Sequence, residues 1–193
     1  LHLCHHNLES ISDYNSTNAK HNLLLEVCMA AKYEGDSIKD YYPEHQLTNH
    51  GFHTNICTVL ARSFADIGDI VRGKDLYLGN KQEKKQRKQL DDKLKDIFKK
   101  IHEGLKTTKG AQNYYQDKNG DNFFKLREDW WTANRSTVWE ALTCDARDNA
   151  EYFRKTPCAG TSPTDGQCRC PKSSGANADQ VPTYFDYVPQ FLR

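Results

Sequence analysis

Residues 61–70 read Ala61-Arg62-Ser63-Phe64-Ala65-Asp66-Ile67-Gly68-Asp69-Ile70, and this stretch decides the fold. It lies within a longer segment, residues 54–72, in which apolar residues recur at steps of three and four. These residues are Ile56, Val59, Leu60, Phe64, Ile67 and Val71. Such spacing places apolar side chains on one face of an α-helix. Gly73 follows where a helix of this length would stop. We therefore predict a helix over residues 54–72 with one face in a core.

Three other segments have the same periodicity. Residues 18–33 form one, closed by Glu34-Gly35, and residues 80–106 form another. The last covers residues 121–144, and the pattern leaves open whether it breaks near residues 132–134. No segment alternates apolar and polar residues with the period of two that a half-buried strand requires. The predicted fold is therefore all-α, a bundle of long helices.

Two segments are predicted to be loops and one to begin a further helix. Residues 34–51 contain Pro43 and paired tyrosines, and residues 155–182 are rich in Gly, Ser, Pro and Asp. The second loop also carries three cysteines, so we expect disulfides to hold it. Residues 184–193 are predicted to start a helix, with Pro189 in its first turn.

Composition sets further bounds. The chain has 193 residues, 37% of them hydrophobic and 27% charged, enough for one domain with a modest core or for two small ones. No stretch approaches the roughly 18 apolar residues of a membrane span, so we expect no membrane insertion by this chain.

The seven cysteines favour disulfides over a metal site. Structural zinc sites space two pairs of ligands closely, whereas Cys168-Arg169-Cys170 has no second pair nearby. Cys57 and Cys144 lie in or at the end of apolar helices, and a bridge between them would join the two, so we predict that pair. Cys158 is expected to pair with Cys168 or Cys170. The partners of Cys4 and Cys28 stay open, and the odd count predicts a partner outside a chain that is part of a larger domain.

Charge is concentrated in one predicted helix. Residues 74–109 hold twelve Lys or Arg and six Asp or Glu, although the whole chain has a net charge of +1. At about 100° per residue, five of the lysines fall within about 20° of one line, opposite the apolar face. The candidate binding residues on this side, which we call the lysine face, are Lys81, Lys84, Lys85, Lys88, Lys95, Lys99 and Lys106.

A row of ammonium groups attracts a polyanion by Coulomb forces and counterion release. The alternative is an ordinary solvated helix face, which Asp92 already interrupts. Among polyanions, a sulfated glycosaminoglycan is favoured over nucleic acid because the cysteines indicate an extracellular setting. The chain also lacks the ladder of stacking aromatic residues that single-stranded nucleic acid requires.

Aromatic and acidic residues suggest no catalytic site. Trp130, Trp131 and Trp139 could form a ligand surface, but we expect core positions for them, with Trp130 in a second helix layer. Arg127-Glu128-Asp129 is interpreted as a charged first helical turn. No nucleophile elbow, phosphate loop or metalloprotease motif occurs. We therefore predict no enzyme, no cofactor and no metal.

Three blocks in order resemble a known family. They are residues 61–70, the run Leu126-Arg127-Glu128-Asp129-Trp130-Trp131, and the run Asp186-Tyr187-Val188-Pro189-Gln190-Phe191-Leu192-Arg193. Together they resemble the alpha-type Duffy-binding-like domain of Plasmodium falciparum erythrocyte membrane protein one, a variant surface antigen. The resemblance implies a disulfide-linked helical fold, and it supports the Cys57–Cys144 pair. It also implies that residues 1–45 end a first subdomain and its connecting segment, that residues 46–193 form the second, and that the third is absent.

The resemblance further implies a host-cell adhesion module on the extracellular face of the infected erythrocyte. Its expected partners are erythrocyte or endothelial receptors, sulfated glycans or blood-group sugars, with neighbouring domains of the same polypeptide beside it. Binding of uninfected red cells, known as rosetting, is the associated activity. The alternative is a structural or antigenic spacer with no ligand of its own.

Overall fold

A computed structural model shows a helical bundle, and it describes residues 19–48 (backbone only for 43–48), 55–76, 79–105, 110–116, 122–146, 150, 152–158, 160–171 and 181–193. The α-helices are α1 (Ala19–Thr48), α2 (Ile56–Arg72), α3 (Lys81–Gly104), α4 (Ala111–Tyr114) and α5 (Phe124–Leu142). Two 3-10 turns follow, Phe185–Tyr187 and Gln190–Leu192. The described residues contain no strand, only an isolated bridge between Cys158 and Ser162. The prediction of an all-α fold is confirmed.

One core joins the four long helices. α1 and α2 both pack against α5, and α3 lies against α1 and α5. Phe64 of α2 is at the centre, with its ring centroid 5.1 Å from that of Trp131 and 5.1 Å from that of Trp139. Trp130 points to the other side and meets Phe98 of α3 edge-on at 6.2 Å. The three tryptophans are therefore core residues, and Trp130 belongs to the second layer as predicted.

The ends of α2 and α3 follow from their capping residues. The Asn55 side chain accepts a hydrogen bond from the amide of Cys57 at 2.8 Å, and Gly73 ends α2 in the left-handed region at φ +72°. At the start of α3, Asn80 and Glu83 form a reciprocal capping box. Both helices therefore begin and end within about two residues of the prediction, which is the usual uncertainty of helix boundaries.

α1 is much longer than predicted. It continues through Gly35 and Pro43 to Thr48, so the loop predicted over residues 34–51 is wrong as far as Thr48, and residues 49–51 lie outside the described part. Gly35 is a contact residue: a Cβ there would lie 2.0 Å from the carbonyl oxygen of Leu142. Glycine thus permits close approach of α1 to the end of α5. The boundary predicted near residue 45 falls inside α1, and the division into subdomains stays a prediction.

The last ten residues do not form the predicted helix. Val188 is extended at φ −86° and ψ 128°, and it separates the two 3-10 turns. The residue before a proline is sterically pushed out of the α region, and Pro189 imposes this on Val188. The segment therefore folds as two tight turns across the end of α2.

The structure corrects the predicted disulfide pairing. Cys57 is bonded to Cys168, and Cys158 to Cys170. The predicted Cys57–Cys144 bridge is wrong, because Cys144 lies in the exposed turn after α5 whereas Cys57 is fully buried. Cys168 is held against α5, since its carbonyl oxygen accepts a hydrogen bond from the Trp139 indole at 3.1 Å. The described part of the second predicted loop is thus pinned by two disulfides, as expected.

The remaining cysteines are not joined to any described cysteine. Cys28 is half-buried and Cys144 exposed, while Cys4 lies outside the described residues. Burial, and next the negative charge of Glu140, raise the pKa of the Cys28 thiol to about 11. Cys28 therefore stays protonated and unreactive at neutral pH.

Candidate functional site

The second and third sequence blocks meet in a buried polar network around Asp186. Its carboxylate accepts two hydrogen bonds from Arg135, at 2.8 and 2.9 Å, and one from the Trp131 indole at 2.9 Å. The Arg72 guanidinium donates to the Asp186 backbone carbonyl. All four residues are at most 5% exposed. Because its donors and acceptors satisfy one another, we assign this network to the scaffold.

Arg127 forms a second buried contact, between α2, α3 and α5. Its guanidinium donates to the carbonyl oxygens of Val71 at 2.6 Å and Ile70 at 3.0 Å, and to the Asp91 carboxylate at 3.0 Å. It binds the last carbonyl groups of α2, of which that of Ile70 also accepts a hydrogen bond from the Gly73 amide at 3.1 Å. Arg127 lies in the charged first turn that the sequence predicts, but it is buried, with 0% of its surface exposed.

A signal for these buried charges was present in the sequence. Arg127, Trp131 and Arg135 step by four, which places both arginines on the helix face of a core tryptophan. Asp91 also shows the effect of this contact. Burial is the largest single influence and raises its pKa, but the charges and hydrogen bonds of Lys95 and Arg127 together outweigh it and hold the pKa below its ordinary value.

The lysine face lies opposite the buried side of α3. Leu90, Leu94, Ile97, Phe98 and Ile101 are buried, as the periodicity predicts. The exposed members of the face are Lys81, Lys84, Lys85, Lys88 and Lys99. Lys95 is less available to a ligand, because its ammonium group pairs with Asp91 at 2.9 Å. Lys106 lies outside the described residues.

Four of these residues form a compact group, Lys81, Lys84, Lys85 and Lys88, which we call the lysine cluster. They span the first two turns of α3, about 10 Å along the axis. Within the described part of the chain none of them forms an ion pair. The exposed Asp92 and Asp96 separate the cluster from Lys99. Positive potential is therefore strongest at the start of α3, where the helix dipole adds to it.

A cleft adjoins the lysine cluster where α2 ends and α3 begins. Its volume is about 230 Å³, and its walls are Ile70, Gly73, Asp75, Lys84, Arg87, Lys88, Leu90 and Asp91. Among the described residues no group of three or more His, Cys, Asp or Glu could hold a metal ion. Of the described helices, none combines the length and apolar character of a transmembrane segment.

Comparison with known proteins identifies the family. The model of the Duffy binding domain matches residues 1–193, and the chain therefore belongs to this family of helical domains. This confirms the resemblance inferred from the three sequence blocks. None of the curated protein sequences matches the chain.

Solved structures give the particular relatives. The chain is similar to the N-terminal NTS-DBL1-alpha and CIDR-gamma double domain of the PfEMP1 protein from the Plasmodium falciparum varO strain. In that comparison the identity is 44% and the TM-score 0.73, with 99% of this chain and 25% of that chain covered. It is also similar to the PfEMP1 IT4var13 DBLbeta domain bound to ICAM-1, at 31% identity and a TM-score of 0.66, over 99% of this chain and 40% of that chain.

A second DBLb domain of PfEMP1, bound to human ICAM-1, matches at 27% identity with a TM-score of 0.57. That match covers 98% of this chain and 34% of the other. The chain thus spans between a quarter and two-fifths of the relatives to which it is similar.

Proposed function

We propose that this chain is part of a host-cell adhesion module of a PfEMP1-type variant antigen, exposed on the infected erythrocyte, and that its lysine cluster binds a sulfated glycosaminoglycan. Family membership supports the adhesion class, since two of its structural relatives are bound to ICAM-1. The observation that carries the glycan proposal is the exposed lysine cluster on α3, whose ammonium groups form no ion pair with a described residue. Rosetting and blood-group sugar binding rest on the family resemblance alone.

The way α3 is anchored supports this use of the cluster. Its capping box fixes the first turn, and Arg127 ties Asp91 to α2 and α5 from the buried side. The four ammonium groups therefore project from a rigid support, so binding a polyanion costs little backbone ordering. Each lysine near an anionic surface contributes about 1 kcal/mol, and the contribution falls with added salt.

The structure sharpens which lysines matter. Lys95 is already paired with Asp91, and Lys99 is separated from the cluster by Asp92 and Asp96. We expect these two lysines to contribute less to binding than the cluster does. The spacer alternative requires instead that the cluster be only a solvated face. Heparin titration of a variant without the cluster distinguishes the two functions.

Replacing Lys81, Lys84, Lys85 and Lys88 with Gln is expected to lower heparin affinity by about a hundredfold or more. This follows from the loss of four contacts of about 1 kcal/mol each, with 1.4 kcal/mol per tenfold change. The salt dependence of binding is expected to flatten, because fewer counterions are released. Heparin titrations at several salt concentrations measure the affinity and its salt dependence. Lysine and glutamine have similar helix propensity, so folding is retained.

The matched control removes the same amount of charge elsewhere. Lys20, Lys32 and Lys39 of α1, with Lys155, are exposed and distant in sequence from α3. Their replacement with Gln should lower heparin affinity by less than about threefold, because only the weak, long-range part of the attraction is lost. Equal losses in the two variants would mean that net charge, and not the cluster, sets the affinity. Unchanged affinity in the cluster variant would favour the spacer alternative.

A further inference from the structure

The acidic residues that line the cleft next to the lysine cluster are all paired with basic residues. Arg87 pairs with Asp75, and the Asp75 carboxylate also accepts a hydrogen bond from Gln190 at 3.3 Å. Asp91 is occupied by Lys95 at 2.9 Å and by Arg127 at 3.0 Å. Both acidic residues of the cleft are thus engaged by cations of the protein itself.

Two cations of the cleft have no such partner. Lys84 and Lys88 lie one turn apart on α3, both are exposed, and neither forms an ion pair with a described residue. The wall between them and α2 includes Ile70 and Leu90, which are at most 8% exposed. The cleft therefore offers two ammonium groups at its edge and little exposed apolar surface, a combination that suits a small anionic group on a polar ring.

Size limits what the cleft can hold. Pockets for drug-sized molecules enclose roughly 300–1,000 Å³, whereas this cleft has about 230 Å³. A whole oligosaccharide does not fit, but one sugar residue with its charged substituent does. The rest of a longer chain would continue over Lys81 and Lys85, which lie on the outer side of the cluster and do not line the cleft.

We propose that the cleft is a subsite for a single anionic sugar residue, whose sulfate or carboxylate is bound between Lys84 and Lys88. The inference rests on the proposed glycan binding and adds specificity to it. Lys84 and Lys88 recognise one residue, and Lys81 and Lys85 attract the polymer through charge alone. Because Asp75 and Asp91 are paired with Arg87, Lys95 and Arg127, their charges repel a bound anion less.

The test compares two variants that remove equal charge from the same helix, Lys84→Gln with Lys88→Gln, and Lys81→Gln with Lys85→Gln. The probes, titrated into the 193-residue chain, are long heparin, a sulfated heparin disaccharide and the desulfated disaccharide. We expect the first variant to lose tenfold or more in affinity for the sulfated disaccharide and the second less than twofold. Both variants should weaken the binding of long heparin.

Binding of the desulfated disaccharide to the unmodified chain would assign the carboxylate as the recognised group, and its absence would assign the sulfate. Equal losses of disaccharide affinity in the two variants would overturn the subsite. So would a chain that binds long heparin but not the disaccharide, although the proposed function would then stand. If neither long heparin nor the disaccharide binds, the proposed function fails together with the subsite.

Discussion

Removal of the Cys57–Cys168 disulfide, by replacing both residues with alanine, is expected to lower the free energy of unfolding by about 2–5 kcal/mol. The two cysteines are 111 residues apart in sequence, so the bridge restricts most of the unfolded chain. A loop of this length gives an entropic contribution of about 5 kcal/mol, which native-state adjustments reduce. Both residues are fully buried, which adds a small packing loss. Chemical denaturation of the oxidised protein measures the difference.

Cys144→Ser is the matched control. Because Cys144 is exposed and bonded to no described cysteine, its replacement should change the free energy of unfolding by less than about 0.5 kcal/mol. Non-reducing peptide mapping should recover Cys57 joined to Cys168. Recovery of Cys57 joined to Cys144, with a large loss of stability in the control, would restore the pairing predicted from the sequence.

Asp186→Ala is expected to destabilise the fold by about 3–5 kcal/mol, because it leaves the Arg135 guanidinium buried without its carboxylate partner. Arg135 is 3% exposed and Asp186 is 1% exposed, so water cannot replace the lost acceptor. The Trp131 indole also loses its acceptor. Thermal and chemical unfolding both report the effect, and the loss should also release the segment after Val181 from α5.

The control for this variant is Asp96→Ala, which removes one exposed carboxylate from α3. A change below about 0.5 kcal/mol is expected there. A comparably small change in Asp186→Ala would contradict the assignment of the network as the contact that joins the second and third sequence blocks.

Local patterns were enough to predict the helices that bury one clear face. α2 and α3 have regular apolar spacing, and their boundaries were predicted from this spacing and, for α2, from Gly73. The prediction ended α1 too early because a glycine such as Gly35 can either stop a helix or allow a close contact with another helix. Only the neighbouring Leu142 carbonyl, more than a hundred residues away in sequence, decides between them.

The partner of Cys57 in its disulfide could not be predicted from the sequence for the same reason. Cys57 could meet Cys144, Cys168 or another cysteine, and the position of Cys168 depends on its hydrogen bond from Trp139. The buried arginines are different, because the four-residue steps through Trp131 contained the information. An arginine at such a position indicates an acidic partner, which here is Asp186 for Arg135 and Asp91 for Arg127.

The scaffold and the proposed binding surface occupy different parts of the sequence. The three blocks that identify the family supply core residues and part of the polar network, whereas the lysine cluster lies on α3 outside them. The same family fold can therefore carry different residues on this helix without changing its core. Substitutions in the blocks are expected to act on stability, and substitutions in the cluster on binding.

Binding of the fluorescently labelled chain to uninfected red cells tests the proposed adhesion most directly. The account predicts saturable binding that soluble heparin inhibits. It also predicts that most of this binding is lost when Lys81, Lys84, Lys85 and Lys88 are replaced with Gln, and that it is retained in the Lys20, Lys32, Lys39 and Lys155 control. Undiminished red-cell binding by a correctly folded cluster variant, or binding insensitive to heparin, would contradict it.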